Sequence, residues 1–404
     1  MSRSSFIPSI LSTGSKTVSN FGTFFLIGYF YDQNTFSHYI SISVLATFLG
    51  FLADLGFSSK IAFDFTKKNI SKALIDSFIV RFLVFIPITT FIFSYSLLML
   101  NEWILLLLFT NVVFSHWLES YSFKLRYENK YWLELFFSIS LYLMPFFFMA
   151  VSFSFNNNLE CVFLIYSSYK FLIFIFLFLK FTNFKNKGIS VNVYEEISSS
   201  IKFVLDSLLL NIQPLIQTYS CKLILSSPDF VVFGYGLKIV QGVNTMFSAI
   251  NNVFYPRIAS DWCHKKKVKK HINKFVAVIN FIPISLAFCL VLSEVYSFDF
   301  ATKYFKFLDV LWICLVLIII KLNSAILGGI LTLAGFQKFR VKVNSCSLII
   351  DTSLIWLFCS LKPFSSSVFL AMIFSCLVVF ISYFVAIKCN GSISNLVFSF
   401  RNKN

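Results

Sequence analysis

A chain of 404 residues that is 57% hydrophobic, with a mean hydropathy of +0.79, does not have the composition of a water-soluble domain. Its formal charge of +16 raises the question of a polyanionic partner. The placement of the charges excludes nucleic acid, because the basic residues flank or interrupt apolar stretches and form no continuous basic face.

Apolar runs of about 20 residues suffice to cross a bilayer. Twelve are predicted, at 8–30, 36–57, 74–99, 103–122, 132–155, 160–180, 201–225, 230–256, 275–298, 308–333, 342–360 and 366–387. The 55 phenylalanines are spread over nearly all of them and read as lipid-facing bulk. The first span has a short basic start but no small-x-small cleavage site, so it is expected to stay as a helix.

Several spans carry polar residues at intervals of three or four, which places them on one helix face. The first has Ser9, Ser12, Lys16, Ser19 or Asn20, and Thr23; the second has Ser43, Thr47, Gly50 and Asp54. The third, fifth, ninth and twelfth show no comparable stripe, Arg81 in the third being the exception. The fourth has Asn111, Ser115, Glu119 and Ser122, and the sixth holds Lys170 alone near its middle.

The polar segment that follows the sixth span reads as a linker. The expected organisation is an N-terminal six-helix lobe at 1–181, a cytoplasmic linker at 182–200, a C-terminal six-helix lobe at 201–388 and a cytoplasmic tail at 389–404. The seventh span carries Asp206, Gln213, Gln217 and Ser220, with Lys222 near its end. The eighth carries Lys238, Gln241, Thr245, Ser248 and Asn252; the tenth, Lys321, Ser324, Gly328 and Thr332; the eleventh, Asp351. Striped spans one, two and four thus correspond to seven, eight and ten, which points to two related halves. Stripes of Ser, Thr and Gly alone serve as helix–helix glue. With Lys, Gln, Asn and Asp on the same face, they are expected to line a water-filled cavity.

With the N-terminus inside, twenty-five of the 34 Lys and Arg residues fall in cytoplasmic segments, three in the opposite loops (Lys303, Lys306, Lys362) and six within spans. This positive-inside pattern predicts both termini cytoplasmic. Nine cysteines show no CxxC spacing and read as small buried residues, without a disulfide or metal. His264 and His271 sit in the basic loop after the eighth span, and no HExxH, Walker loop or glycine-rich dinucleotide fingerprint occurs. No catalytic residue or cofactor is expected.

The six intramembrane cations are the sharpest feature. A cation in hydrocarbon costs about 3 kcal/mol on insertion scales, so it must face water or a partner. Lys170 and Lys321 fall near the midplane, Lys238 and Lys222 toward the periplasmic side, and Lys16 and Arg81 toward the cytoplasmic side. Lys16, Arg81 and Lys222 have the alternative of snorkelling to an interface. Internal ion pairing is the rival reading for all of them, with Glu119, Asp206 and Asp351 as partners; Asp351 is matched to Lys321 or Lys338. The cations outnumber the deep acids, and the surplus suits an anionic cargo such as a phosphate or pyrophosphate. Lys238, Lys321, Lys170, Lys16, Arg81, Lys222, Gln213, Gln217, Gln241 and Asn252 are the substrate-binding candidates. Asp54, Asp206 and Asp351 are the candidates for coupling to H+ or Na+, with an anchoring role as the alternative for Asp54 beside Gly56.

Three stretches resemble bacterial polysaccharide exporters. Leu52-Ala-Asp-Leu-Gly-Phe-Ser-Ser-Lys60 resembles the turn that ends their second span. Phe233-Gly-Tyr-Gly-Leu-Lys238 with Asn252-Val-Phe-Tyr-Pro-Arg257 resembles their eighth span, ending in an apolar-x-Pro turn. Leu331-Thr-Leu-Ala-Gly-Phe-Gln-Lys338 resembles the exit of their tenth. In motif order and span number the chain resembles the Wzx-type O-antigen flippases of the multidrug/oligosaccharidyl-lipid/polysaccharide exporter superfamily. The resemblance implies an all-α, MATE-like fold of two six-helix lobes in the bacterial inner membrane. It implies an undecaprenyl-diphosphate oligosaccharide as cargo, moved from the cytoplasmic to the periplasmic leaflet, with membrane lipids, a polysaccharide polymerase and a chain-length regulator as partners. Two alternatives stand beside it. A membrane-embedded polymerase or ligase predicts a large periplasmic loop bearing catalytic Arg or His, and a small-cation exporter predicts an acid-rich cavity.

Overall fold

The computed structural model describes residues 3–58, 60–61, 64, 70–98, 103–155, 158–181, 192–264, 268–295 and 305–391; at some helix positions, among them 206 and 252, only the backbone is described. Thirteen α-helices run through these residues: α1 Arg3–Phe30, α2 Gln33–Asp54, α3 Ile70–Leu98, α4 Trp103–Tyr127, α5 Tyr131–Ser138, α6 Met144–Phe155, α7 Leu159–Phe181, α8 Val193–Ile224, α9 Ser227–His264, α10 Val268–Val295, α11 Phe305–Leu333, α12 Gln337–Leu361 and α13 Ser365–Cys389. A π-turn, Ile139–Leu143, joins α5 to α6, and the three form one rod. The chain is therefore an all-α multi-pass membrane protein of twelve rods, and each predicted span lies on one of them. Nine of the rods are long and apolar enough to cross a membrane. The remaining three, α1, α8 and α9, carry full polar stripes, which lower their hydropathy.

Helix ends follow local chemistry. Asp32 caps α2, its carboxylate accepting from the backbone N–H groups of Asn34 (3.0 Å) and Thr35 (3.2 Å). The Thr35 hydroxyl adds a 2.6 Å bond, and these interactions hold the Asp32 carboxyl below the usual range. At the other end of α2 the chain turns through Leu55 and Gly56, both left-handed with φ of 48° and 70°; a glycine accepts that conformation without strain. In the α5–α6 rod the Met144 N–H reaches back five residues to the Ile139 carbonyl. Pro145 supplies the reason: it has no N–H for the Leu141 carbonyl, and its ring crowds that oxygen.

Two differences from the sequence expectation concern helix length. The resemblance implied a turn at Pro256, whereas α9 continues through position 256 to His264. The segment 182–200 was expected to be linker throughout, but its last eight residues already belong to α8.

The chain divides into two compact units, Met1–Leu215 and Ile216–Asn404, the division falling inside α8 next to Pro214. In the first unit α4 is central: α2, α3 and α7 pack on it, and α1 packs along the α5–α6 rod. Trp117 of α4 is fully buried, its ring 4.9 Å from that of Phe174 and 5.5 Å from that of Phe85. Gly50 of α2 meets the same helix closely; a Cβ there would stand 2.4 Å from Val112 Cγ1. In the second unit α11 is central, with α9, α10 and α13 around it and α12 against α13. Phe233 and Phe369 stack in its interior with centroids 5.6 Å apart. Large apolar side chains such as Phe82, Phe91 and Phe176 point outward, while serines and charges point inward. This polarity suits a lipid solvent, in which close packing and internal polar contacts hold helices together.

Candidate functional site

Ser12, Ser15, Ser19 and Thr23 of α1 are buried, so the stripe on this helix faces the interior of the first unit. Three successive turns, at Ser12, Lys16 and Ser19, find a partner on another helix. Ser12 hydrogen-bonds Ser138 at 2.6 Å and donates to Glu134 at 3.4 Å. Lys16 forms an ion pair with Glu119. Ser19 and the Tyr166 hydroxyl are 3.2 Å apart.

The centre of this row is a cluster on α1, α4, the π-turn and α7. Glu119 of α4 accepts from Lys16 and, at 3.1 Å, from the Tyr142 hydroxyl. His116 Nδ1 lies 3.9 Å from its other oxygen. One turn earlier on α4, Ser115 accepts a 2.7 Å bond from Lys170 Nζ. The Lys170 ammonium also lies 4.4 Å from the Tyr166 ring centroid and 5.4 Å from that of Tyr142, whose ring Lys16 approaches at 5.8 Å. Lys170 is only 3% exposed, and among the described residues no carboxylate lies within 4 Å of it. Lys16 and Glu119 neutralise each other, so the cluster keeps the uncompensated charge of Lys170. The Lys16 and Glu119 side chains remain 30% and 22% exposed, which leaves an approach to the cluster.

Three other cations described in this unit have carboxylate partners. Arg81, fully buried, pairs with Asp54 at 2.8 Å and donates to Ser120 at 2.6 Å and Ser58 at 3.4 Å. It does not snorkel. Asp54 also accepts from the Ser58 N–H at 3.0 Å, so it anchors the turn after α2. Lys60 is buried between Asp64, at 3.6 Å, and Glu196 of α8, with which it forms an ion pair. Arg126 pairs with Glu134, which is fully buried.

In the second unit, Gln217 of α8 is buried and donates to Asp351 of α12 at 2.5 Å. One partner of Asp351 is therefore an amide. Lys238 of α9, Gln241 of α9 and Lys321 of α11 are half-buried, as is Gln213 in the first-unit part of α8; Lys222 near the end of α8 is exposed. The side chains of Asp206 and Asn252 lie outside the described residues. Structure thus joins Lys16 to Glu119 and brings Lys170 beside them, joins Arg81 to Asp54, and joins Gln217 to Asp351. Tyr142 and Glu134 were missed as site residues. With Ser138 they form a four-residue repeat on the fifth span, a signal hidden among phenylalanines.

Neither a family model nor a curated protein sequence matches the chain. Solved structures do. An outward-facing multidrug resistance MATE family transporter of the MOP superfamily superposes with a TM-score of 0.66 at 13% identity, covering 97% of this chain and 95% of that one. An inward-facing multidrug resistance MATE family transporter of the same superfamily gives 0.61 at 14% identity, over 96% and 93%. A MOP superfamily transporter from Pyrococcus furiosus, whose binding pocket is described as having reverse polarity that suggests a different function, gives 0.63 at 13% identity, over 97% and 95%. The fold is the twelve-helix, two-lobed fold of MATE transporters. At such identities the likeness covers the fold alone.

Proposed function

We propose that the protein is a transporter of amphipathic anions. Its cargo, on this reading, is an undecaprenyl-diphosphate-linked repeat unit of O-antigen or a related polysaccharide. It is turned from the cytoplasmic to the periplasmic leaflet of the bacterial inner membrane by alternating access. The observation that carries the reading is Lys170: a buried ammonium with a hydroxyl and two aromatic rings for company and no carboxylate within 4 Å among the described residues. A buried charge without a counter-charge is costly, and an arriving phosphoryl group supplies one. Ser115 and the Tyr166 ring orient the ammonium, and Lys16, held by Glu119 one turn of α4 from Ser115, adds a second cation. Lys238, Lys321, Gln213, Gln217, Gln241 and Asn252 are the proposed further contacts to diphosphate and sugar, and H+ or Na+ the proposed coupling ion. The polymerase and chain-length regulator act on the product at the periplasmic face.

A small-cation exporter is the second reading, favoured by the multidrug description of the structural neighbours. The buried Lys170 ammonium, with no carboxylate within 4 Å among the described residues, opposes it. Deletion of the gene separates the readings. Lipid-linked repeat units held in the cytoplasmic leaflet support the proposal. Single repeat units held in the periplasmic leaflet support a polymerase, and sensitivity to cationic dyes with normal glycan supports the exporter.

A further inference from the structure

Glu119 lies where an anion held by Lys170 must feel it. Ser115 and Glu119 are four residues apart on α4, hence neighbours on one helix face. Ser115 holds Lys170, Glu119 holds Lys16, and the Tyr142 ring lies against both ammoniums. An anion that binds Lys170 puts a second negative charge beside the Glu119 carboxylate in a poorly hydrated interior, where like charges repel strongly.

We propose that anion binding at Lys170 is accompanied by uptake of one proton on Glu119, so that proton and anion travel together. This rests on the anionic-cargo reading above. The step is balanced: a proton from the aqueous phase adds to a Glu119 carboxylate oxygen. The neutral acid releases the Lys16 ammonium, which joins Lys170 on the anion. The empty cluster carries one net positive charge. A singly charged anion with one added proton returns the cluster to the same charge, and a diphosphate diester with two negative charges leaves it neutral, so with the proton the loaded cluster is in neither case net negative. By linkage, what the anion does to the proton the proton does to the anion.

The groups around Glu119 allow this assignment. From α1 comes Lys16, from α4 itself His116, from the π-turn Tyr142, from α7 Lys170 and Tyr166, from α2 Asp54, and from α3 Arg81. Asp54 and Arg81 are held by each other. Tyr142 already donates to Glu119, and Tyr166 bonds Ser19. The rival proton acceptors are His116 and the Lys170 amine itself, and both are excluded only if uptake is lost in Glu119→Gln.

The test is calorimetric binding of farnesyl sulfonate, an anion that does not itself titrate near neutrality, to the full-length protein in nanodiscs. Buffers of different ionisation enthalpy report the protons taken up. The expected result is about one proton per bound anion in the wild type and in His116→Asn, none in Glu119→Gln with binding retained, and affinity rising up to about tenfold per unit fall in pH. Binding without proton uptake in the wild type overturns the proposal and leaves the anion site standing. Uptake that persists in Glu119→Gln, or disappears in His116→Asn, overturns it by assigning the proton elsewhere. Absence of binding in the wild type overturns it together with the anionic-cargo reading. The wild-type proton count does not depend on any variant folding.

Discussion

The two units handle buried charge differently. In the first, among the described residues, Arg81 meets Asp54, Lys60 meets Glu196, Arg126 meets Glu134 and Lys16 meets Glu119, so these inward cations each have a carboxylate. In the second, the buried Asp351 takes a hydrogen bond from an amide, Gln217, and Lys238 and Lys321 sit half-buried on polar faces. The first unit therefore reads as a rigid, charge-matched body in which one departure, Lys170, is informative. Among the described residues of the second, the buried carboxylate Asp351 is served by an amide donor.

Substitutions sharpen that contrast. The largest effect is expected at Arg81. Its truncation to Ala strands the buried Asp54 carboxylate, and removal of one partner of a buried pair costs about 3–5 kcal/mol. Thermal unfolding in detergent should show the loss. Gln217→Leu, the counterpart in the second unit, removes a donor to a buried carboxylate, a loss of about 1.5–3 kcal/mol. Equal or greater destabilisation by Gln217→Leu would erase the difference between the units. Gly50→Ala should cost about 1–3 kcal/mol by overpacking against Val112. Pairing it with Val112→Ala should recover much of that loss in the same assay.

A smaller effect is expected at the exposed cap Asp32. Because the folded carboxyl is held below its ordinary range, its contribution is present above the unfolded pKa of about 4 and fades as pH falls through the folded value. Melting temperatures of wild type and Asp32→Ala should differ at neutral pH and converge in acid.

The fold was legible because its signal is collective. Twelve apolar stretches and a one-sided distribution of Lys and Arg do not depend on any single residue. The stripe on the first span was legible too, since Ser12, Lys16, Ser19 and Thr23 keep helical spacing and turn inward together. Partnerships were not legible, because they join residues more than a hundred positions apart, such as Lys16 and Glu119. Lys170 read as a solitary charge because its company is contributed by Ser115, Tyr142 and Tyr166, none charged, and Tyr142 is aimed at Glu119 from within a π-turn. Arg81 read as a candidate for the interface because nothing local reveals that the turn at Leu55 and Gly56 brings Asp54 against it.

Lys170 is the point at which stability and function should separate. Unlike Arg81→Ala, Lys170→Met removes a buried charge without stranding another, so the melting temperature should stay level or rise. The most direct measurement is equilibrium binding of farnesyl diphosphate to wild-type and Lys170→Met protein in nanodiscs, with unfolding followed on the same samples. The account predicts at least a tenfold loss of affinity, about 1.4 kcal/mol, in a variant no less stable than the wild type. Unchanged affinity in the folded variant would contradict an anion site at Lys170.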